Sequence, residues 1–235
     1  MSSVIEKIKQ FVGVSFWDSL YKTFTFRDFL IAASPACMNR RIAKVRKAQS
    51  RKLEELKQQK SCRVVFFLQT PSVWKYDALY QKLAESEYFE PIVVISPYNV
   101  HLIYDKEECF RVMRQTEDFA RAKGYNYVSA YNWDTHKWKN IKKIYSPDII
   151  FFTKPYKDTL PQYHIYNFEE ALTLYLPYGI NCINLFHNTY GLSFQALLWK
   201  FLVETEFQKH YAEIYEKSHG DNVEIVGALA EEKLM

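Results

Sequence analysis

Three apolar runs of this sequence are continuous, whereas a strand with one solvated face alternates apolar and polar residues. The first run is Cys62–Leu68, and two similar runs follow at residues 91–95 and 149–152. All three are short and rich in β-branched and aromatic residues, which is typical of strands buried on both faces of a parallel sheet. Helices must then cover both faces, and this requirement constrains the fold more than any other feature of the sequence.

Predicted helices lie between the predicted strands. The clearest is residues 106–123, which Gly124 ends. Further helices are predicted at 74–86 and, as one long helix or two abutting helices, at 192–217; further strands are predicted at 125–128, 179–185 and 223–226. The alternation predicts a doubly wound α/β fold, in which residues 61–235 form a mostly parallel, open, Rossmann-like sheet of about six strands.

Positive charge is concentrated near the start of the chain. Residues 1–60 contain 13 Lys and Arg against 5 Asp and Glu, and the remainder contains 18 against 22. Nine of these cations fall between residues 40 and 60, in a stretch that predicts an exposed helix at about 38–59. Apolar residues recur at helical spacing over 4–24. We therefore expect residues 1–60 to form a basic helical arm, which either packs on the main domain or binds an anionic membrane surface.

The composition excludes several classes of protein. With 48% hydrophobic and 17% aromatic residues the chain can bury a core, and no stretch approaches the ~20 apolar residues of a membrane span. The first ten residues lack the apolar core of a secretory signal, so we expect a cytoplasmic protein, or one peripheral to the inner face of the cell membrane. The four cysteines have no metal-ligand spacing, and we expect neither a metal nor a cofactor. The acidic excess after residue 60 argues against nucleic acid.

Ligands of an open α/β sheet bind beyond the carboxyl ends of the strands, where loop amides and helix N-termini converge. This rule selects the polar, aromatic and cationic residues that follow the predicted strands. They include the strand-end residues Gln69, Ser96 and Thr153, the substrate-binding candidates Trp74, Lys75, Tyr98, Lys154, Tyr156 and Asn188, and the candidate catalytic base His187. Each choice has an alternative, since His187 fits a hydrogen-bonded structural histidine and residues 154–156 fit a plain turn.

The loop after the first predicted strand has no glycine-rich phosphate motif. It has the sequence Gln-Thr-Pro-Ser at residues 69–72, which matches neither GxGxxG nor GxxxxGK[ST]. Dinucleotide binding and P-loop chemistry are therefore not expected. Any phosphate would be held by Lys154 or by helix N-termini.

Four segments, taken in order, resemble the CDP-glycerol glycerophosphotransferase family, which makes teichoic-acid-like and capsular polymers. They are residues 64–77, 91–98, 147–152 and 175–179, and the similarity extends from about Arg63 to the end of the chain. The resemblance implies the N-terminal half of a two-domain GT-B fold, in which this half handles the acceptor and the other half holds CDP-glycerol. Many members carry a Trp-His-Gly signature whose histidine is the candidate base; its nearest counterpart here is Phe186-His187-Asn188, which keeps the histidine but has neither the Trp nor the Gly.

The resemblance also implies a reaction. A base would deprotonate a hydroxyl of a polymer or lipid-linked acceptor, which would attack the β-phosphorus of CDP-glycerol and expel CMP. The sequence stops before the segment where the donor domain is expected, so CDP-glycerol binding is expected only together with a donor domain. Two alternatives stay open: a non-catalytic binding module or remnant of such an enzyme, and half of a sugar-nucleotide glycosyltransferase. Self-association or a partner chain is a further expectation.

Overall fold

The computed structural model of the chain describes residues 34–98, 101–102, 105–155, 158–178 and 186–227. The apolar segment 4–24 and the predicted strand 179–185 lie outside the described residues. The helices are α1 (Pro35–Leu56), α2 (Asp77–Ala84), α3 (Lys106–Ala122), α4 (Ile141–Tyr145), α5 (Phe186–Tyr190), α6 (Ser193–Leu197) and α7 (Glu206–Tyr215). The strands are β1 (Cys62–Leu68), β2 (Phe89–Ile95), β3 (Tyr127–Ser129), β4 (Tyr131–Asn132), β5 (Lys137–Trp138), β6 (Ile149–Phe152), β7 (Leu172–Tyr175), β8 (Lys200–Val203) and β9 (Val223–Ile225).

Seven of these strands form one sheet in the order β3-β2-β1-β6-β7-β8-β9, and β4 and β5 form a separate antiparallel hairpin. All six neighbouring pairs in the large sheet are parallel. In the centre, Phe66 of β1 lies opposite Val93 of β2 on one side and Phe151 of β6 on the other. The predicted doubly wound α/β fold is confirmed, with seven strands in the described sheet.

The central strands are buried on both faces. Val65 and Phe67 of β1 belong to one apolar core, which also contains residues of α1 and α6. Val64 and Phe66 belong to a second core on the opposite face, with residues of α2 and α3. None of these four side chains is more than 4% exposed. Continuous apolar strands require such double cover, because every side chain of the strand enters a core.

Helix α1 packs on the sheet and crosses the amino ends of its strands. Its side chains contact residues that lie one to three positions before strands: Arg41 pairs with Glu169 before β7, Gln49 donates to the Leu197 carbonyl before β8, and Lys52 pairs with Asp148 before β6. Met38, Val45 and Gln49 are its buried side chains. The basic helix predicted from the charge run therefore shares a core with the α/β domain, and lies at the end of the sheet opposite the carboxyl ends of the strands.

The prediction of one long helix or two abutting helices over residues 192–217 is wrong. The structure has α6, then β8, then α7 in this segment. The backbone of Leu198 is extended, with ψ 145°, and β8 pairs with β7 and β9. A capping box between Thr205 and Gln208 then begins α7. The apolar run fits the period of a helix and that of a strand, and pairing with β7 and β9 makes part of it a strand.

One smaller difference concerns the second half of the sheet. Strand β7 was not predicted, because its four residues precede a Pro and a Gly that are typical of a loop.

Among the described residues, no helix is long and apolar enough to cross a membrane.

Candidate functional site

The chain reverses direction across the sheet between β1 and β6. Strands β2 and β3 follow β1 on one side, and β6 begins the other side. Such a topological switch point leaves a crevice beyond the carboxyl ends of the two strands, where ligands of doubly wound folds bind. Gln69 follows β1 directly, and Thr153 and Lys154 follow β6. The crevice is therefore the candidate functional site.

An ion pair lies at the crevice. The Nζ atom of Lys154 is 3.7 Å from Oδ2 of Asp158, and the two side chains are 12% and 11% exposed. Gln69 Nε2 donates to Asp158 Oδ1 at 3.4 Å. Burial lowers the pKa of Lys154, which the negative charge of Asp158 opposes, and burial raises the pKa of Asp158, which Lys154 opposes. The two charges compensate each other in a partly dehydrated place.

The ring of Tyr98, which follows β2, forms one wall beside the amine. Lys154 Nζ lies 4.0 Å from the centre of this ring, which is within cation–π distance. The His101 ring meets Tyr98 edge-on, with the ring centres 4.6 Å apart. Burial, and then the negative charge of Asp158, raises the pKa of the Tyr98 hydroxyl. The structure thus brings together two of the predicted substrate-binding residues, Lys154 and Tyr98.

A small cavity lies among the strand ends. Its volume, traced by the centre of a water molecule, is about 20 Å³, which is room for about one water. Its walls are formed by Phe67, Gln69, Ser96, Phe152, Thr153, Lys154, Thr159, Tyr163, His164, Ile165 and Phe194. The buried Oε1 of Gln69 and Oγ1 of Thr159 have no hydrogen-bond partner among the described residues. Thr153 Oγ1 instead donates to the Phe67 carbonyl at 2.9 Å.

Trp74 and Lys75 take part in other contacts. The Trp74 indole packs on Phe66 in the core and donates to Asp77 Oδ1 at 3.3 Å and to the Tyr125 hydroxyl at 3.2 Å. Lys75 Nζ lies 3.3 Å from Glu204 Oε1, beyond the end of β8. Neither side chain contacts the Lys154–Asp158 pair in any described interaction.

His187 and Asn188 lie in α5, a short helix, rather than directly at the end of a described strand. Helix α5 packs on α7, where Phe186 stacks on Tyr211 with ring centres 4.0 Å apart. The side chains of His187 and Asn188, and the whole of Tyr156, lie outside the described part of the chain. Their assignment to the site stays a prediction.

Asp158 and Thr159 were missed by the sequence analysis. They lie several residues beyond the end of β6, so the rule that selects strand-end residues does not reach them. The available signal is the spacing of Lys154 and Asp158, which is a cation and a carboxylate four residues apart.

The described residues contain no group of three His, Cys, Asp or Glu side chains that could hold a metal ion. Burial raises the pKa of Cys62 to about 12 and that of Cys109 to about 11, so both are thiols rather than nucleophilic thiolates at neutral pH. No protein-family model and no curated protein sequence matches this chain.

Proposed function

We propose that this chain provides the acceptor-side domain of a transferase of the CDP-glycerol glycerophosphotransferase type, and that the acceptor binds in the switch-point crevice. The observation that supports the proposal is the position of Lys154 at the carboxyl end of β6, with its amine between Tyr98 and Asp158. A partly dehydrated ammonium group attracts a phosphate more strongly than a fully exposed one does. The crevice therefore suits an acceptor that carries phosphate.

In the proposed reaction an acceptor hydroxyl loses its proton to a base, for which His187 is the candidate. The hydroxyl oxygen forms a bond to the β-phosphorus of CDP-glycerol, the bond from that phosphorus to the bridging oxygen of CMP breaks, and CMP leaves with the electron pair. Lys154 would orient the acceptor and offset negative charge near the reacting groups. The CDP-glycerol would be held by a donor domain.

Binding and transfer test this proposal separately. The full chain would be titrated with glycerol 3-phosphate in a calorimeter, and we expect Lys154→Ala to weaken binding by at least about tenfold, the loss of one good charge contact. Lys75→Ala is the matched control, because Lys75 pairs with Glu204 outside the crevice. Equal losses in both variants would contradict a role for the crevice.

Transfer would be measured as CMP release after the chain is mixed with a donor-domain chain, CDP-glycerol and acceptor membranes. We expect His187→Ala to abolish release, and His210→Ala, an exposed histidine of α7, to leave it unchanged. Binding without transfer would favour the non-catalytic module. Transfer from a sugar nucleotide but not from CDP-glycerol would favour a glycosyltransferase half.

A second candidate function, docking to an anionic membrane, is favoured by a stripe of cations on α1. The stripe consists of Arg40, Lys44, Lys47 and Arg51, all exposed. Their spacing of four, three and four residues places them on one helix face over about 16 Å. That face is opposite Met38, Val45 and Gln49, which are buried.

The stripe borders a groove. Between α1 and the loop before β7 there is a groove of about 440 Å³, whose charged walls are Lys44, Lys47, Arg51, Lys142, Glu169 and Glu170. Glu169 is already paired with Arg41, and no described residue forms an ion pair with Lys44 or Lys47. The Arg41 guanidinium also lies 4.1 Å from the centre of the Tyr166 ring, the aromatic residue of this groove. A row of cations with a covered ring suits lipid phosphates better than stacked bases.

Sedimentation with vesicles containing phosphatidylglycerol tests this candidate. Each cation near such a surface contributes about 1 kcal/mol, so changing Arg40, Lys44 and Lys47 to Glu should weaken binding on the order of 100-fold. The control changes Lys82, Lys106 and Lys137 to Glu, which alters the net charge equally at exposed positions elsewhere. Similar losses in both triple variants, or preferential binding to an oligonucleotide, would count against membrane docking.

A further inference from the structure

We propose that the Asp158 carboxylate competes with an anionic ligand for the position beside Lys154. We also propose that Gln69 accepts a hydrogen bond from a hydroxyl group of that ligand. The inference rests on the proposed use of the crevice as a ligand site and specifies how that site selects and regulates binding. The ligand class is an anion, phosphate or carboxylate, with a hydroxyl group close to it.

The contact between Lys154 and Asp158 is loose. At 3.7 Å the two atoms are beyond hydrogen-bond distance, although both side chains are nearly buried. An ammonium group has three N–H donors, and its other described contact in the crevice is the face of the Tyr98 ring. A ligand oxygen placed 2.7–2.9 Å from the amine, the usual distance of a charge-assisted hydrogen bond, would hold it better than Asp158 does. The ligand would therefore displace the carboxylate.

Asp158 is also held weakly by Gln69. The Gln69 amide nitrogen lies 3.4 Å from Oδ1 and 3.5 Å from the backbone carbonyl of Asp158, both at the long limit of hydrogen bonding. Rotation of the Asp158 side chain would thus break the long contact to Oδ1 and leave the contact to the backbone carbonyl in place.

The carbonyl oxygen of the Gln69 side chain indicates the second group of the ligand, a hydroxyl. Gln69 is 5% exposed, and its Oε1 lacks a partner among the described residues. The buried Oγ1 of Thr159, in the wall of the same cavity, also lacks one. A hydroxyl can donate to the Gln69 oxygen and exchange a second hydrogen bond with Thr159. The cavity has room for about one such oxygen.

Three probes separate the two halves of the ligand: inorganic phosphate, glycerol and glycerol 3-phosphate. Calorimetry on the full chain would compare the natural protein with Asp158→Asn and Gln69→Leu. We expect Asp158→Asn to strengthen binding of both phosphates by about five- to tenfold and to leave glycerol unchanged, because an internal anion is removed. We expect Gln69→Leu to weaken glycerol 3-phosphate by about tenfold and to leave inorganic phosphate unchanged.

The matched control is Asp118→Asn, which removes a carboxylate from an exposed pair with Arg121. If Asp158→Asn does not fold, Asp158→Ser provides the same loss of charge with less bulk. Unchanged or weaker phosphate binding in the folded Asp158 variant would overturn the competitor role and make Asp158 a structural partner of Lys154. A loss of inorganic phosphate binding in Gln69→Leu equal to the loss of glycerol 3-phosphate would overturn the hydroxyl contact.

These outcomes are independent of the transfer assay. Variants that behave as expected, in a protein that releases no CMP with a donor domain, would support the two residue roles and reject the transferase. Active transfer with unchanged affinities in both variants would support the transferase and reject the two residue roles.

Discussion

The hydroxyl of Tyr76 donates a hydrogen bond to the carbonyl of Phe152 at 3.3 Å, across the carboxyl end of β6. The same oxygen accepts a hydrogen bond of 3.2 Å from the N–H of Leu176, just after β7. Burial raises the pKa of this hydroxyl, which keeps it protonated and able to donate. One buried side chain thus joins the ends of two neighbouring strands beside the crevice.

Tyr76→Phe should lower the free energy of unfolding by about 1–3 kcal/mol, because it leaves a buried carbonyl and a buried N–H without partners. Urea denaturation followed by tryptophan fluorescence measures the loss. Tyr178→Phe, at an exposed tyrosine, is the control and should change stability by less than about 0.5 kcal/mol. Equal stability of the two variants would contradict the bridging role.

Glu216 predicts how stability depends on pH. Burial raises its pKa to about 7 from the ordinary 4.5, while Arg46, through its charge, acts in the opposite direction and Asp221 in the same one. Between these pH values the folded chain keeps a proton that the unfolded chain releases, so this group makes stability fall as pH rises from about 4.5 to 7. Glu216→Gln should remove that fall and stabilise the protein at pH 8 by about 2–3 kcal/mol.

Unfolding curves at pH 4.5, 6 and 8 would test the Glu216 prediction. Glu213→Gln, at an exposed position of α7, the helix that ends just before Glu216, is the control. A Glu216→Gln protein that is less stable than the natural one at pH 8 would show that the ionised carboxylate is required in the fold.

Two glycines with left-handed backbone should respond differently to alanine. Gly220 has φ +75°, and an added Cβ would lie 2.8 Å from Cγ and 3.3 Å from Cα of Glu213. Gly124 has φ +70° and open space around the same position. Gly124→Ala should cost about 1 kcal/mol from backbone strain alone, and Gly220→Ala about 2–4 kcal/mol, since steric overlap adds to the strain. Thermal unfolding of the two variants compares them directly.

Trp74→Phe should reduce stability without reducing ligand binding. The variant loses the indole hydrogen bonds to Asp77 and Tyr125 and part of the packing on Phe66, and we expect a loss of about 1–2 kcal/mol. Affinity for glycerol 3-phosphate should stay within twofold. A tenfold loss of affinity in a folded Trp74→Phe protein would restore Trp74 to the binding site.

The strands that the sequence predicts most clearly are those in the middle of the sheet. β1 and β6 are continuous apolar runs because both of their faces are covered, and this pattern is visible without knowledge of their neighbours. β8 begins with Lys200, follows an apolar helix-like run and alternates in burial. Its identity as a strand depends on pairing with β7, which is a long-range contact that local pattern does not encode.

The candidate site likewise has one part that the sequence predicts and another part that depends on long-range contacts. Lys154 and Tyr98 follow predicted strands, so the topology alone places them at one edge. The contact of Asp158 with Lys154 depends on the path of a loop, and the indole contacts of Trp74 depend on the position of Tyr125, which precedes β3. Side chains near the strand ends point in different directions, and strand order alone does not tell which of them enter the crevice.

Among the described strands of the sheet, the outermost, β3 and β9, have three residues each, whereas β1 and β2 in the interior have seven. A long outer strand would present a row of unpaired backbone groups on which another chain could polymerise, and a three-residue strand presents few. We therefore expect copies of this protein to resist strand-to-strand aggregation even when concentrated. As far as the described sheet is concerned, we expect any lasting association between copies to form through side-chain surfaces instead of an extended sheet.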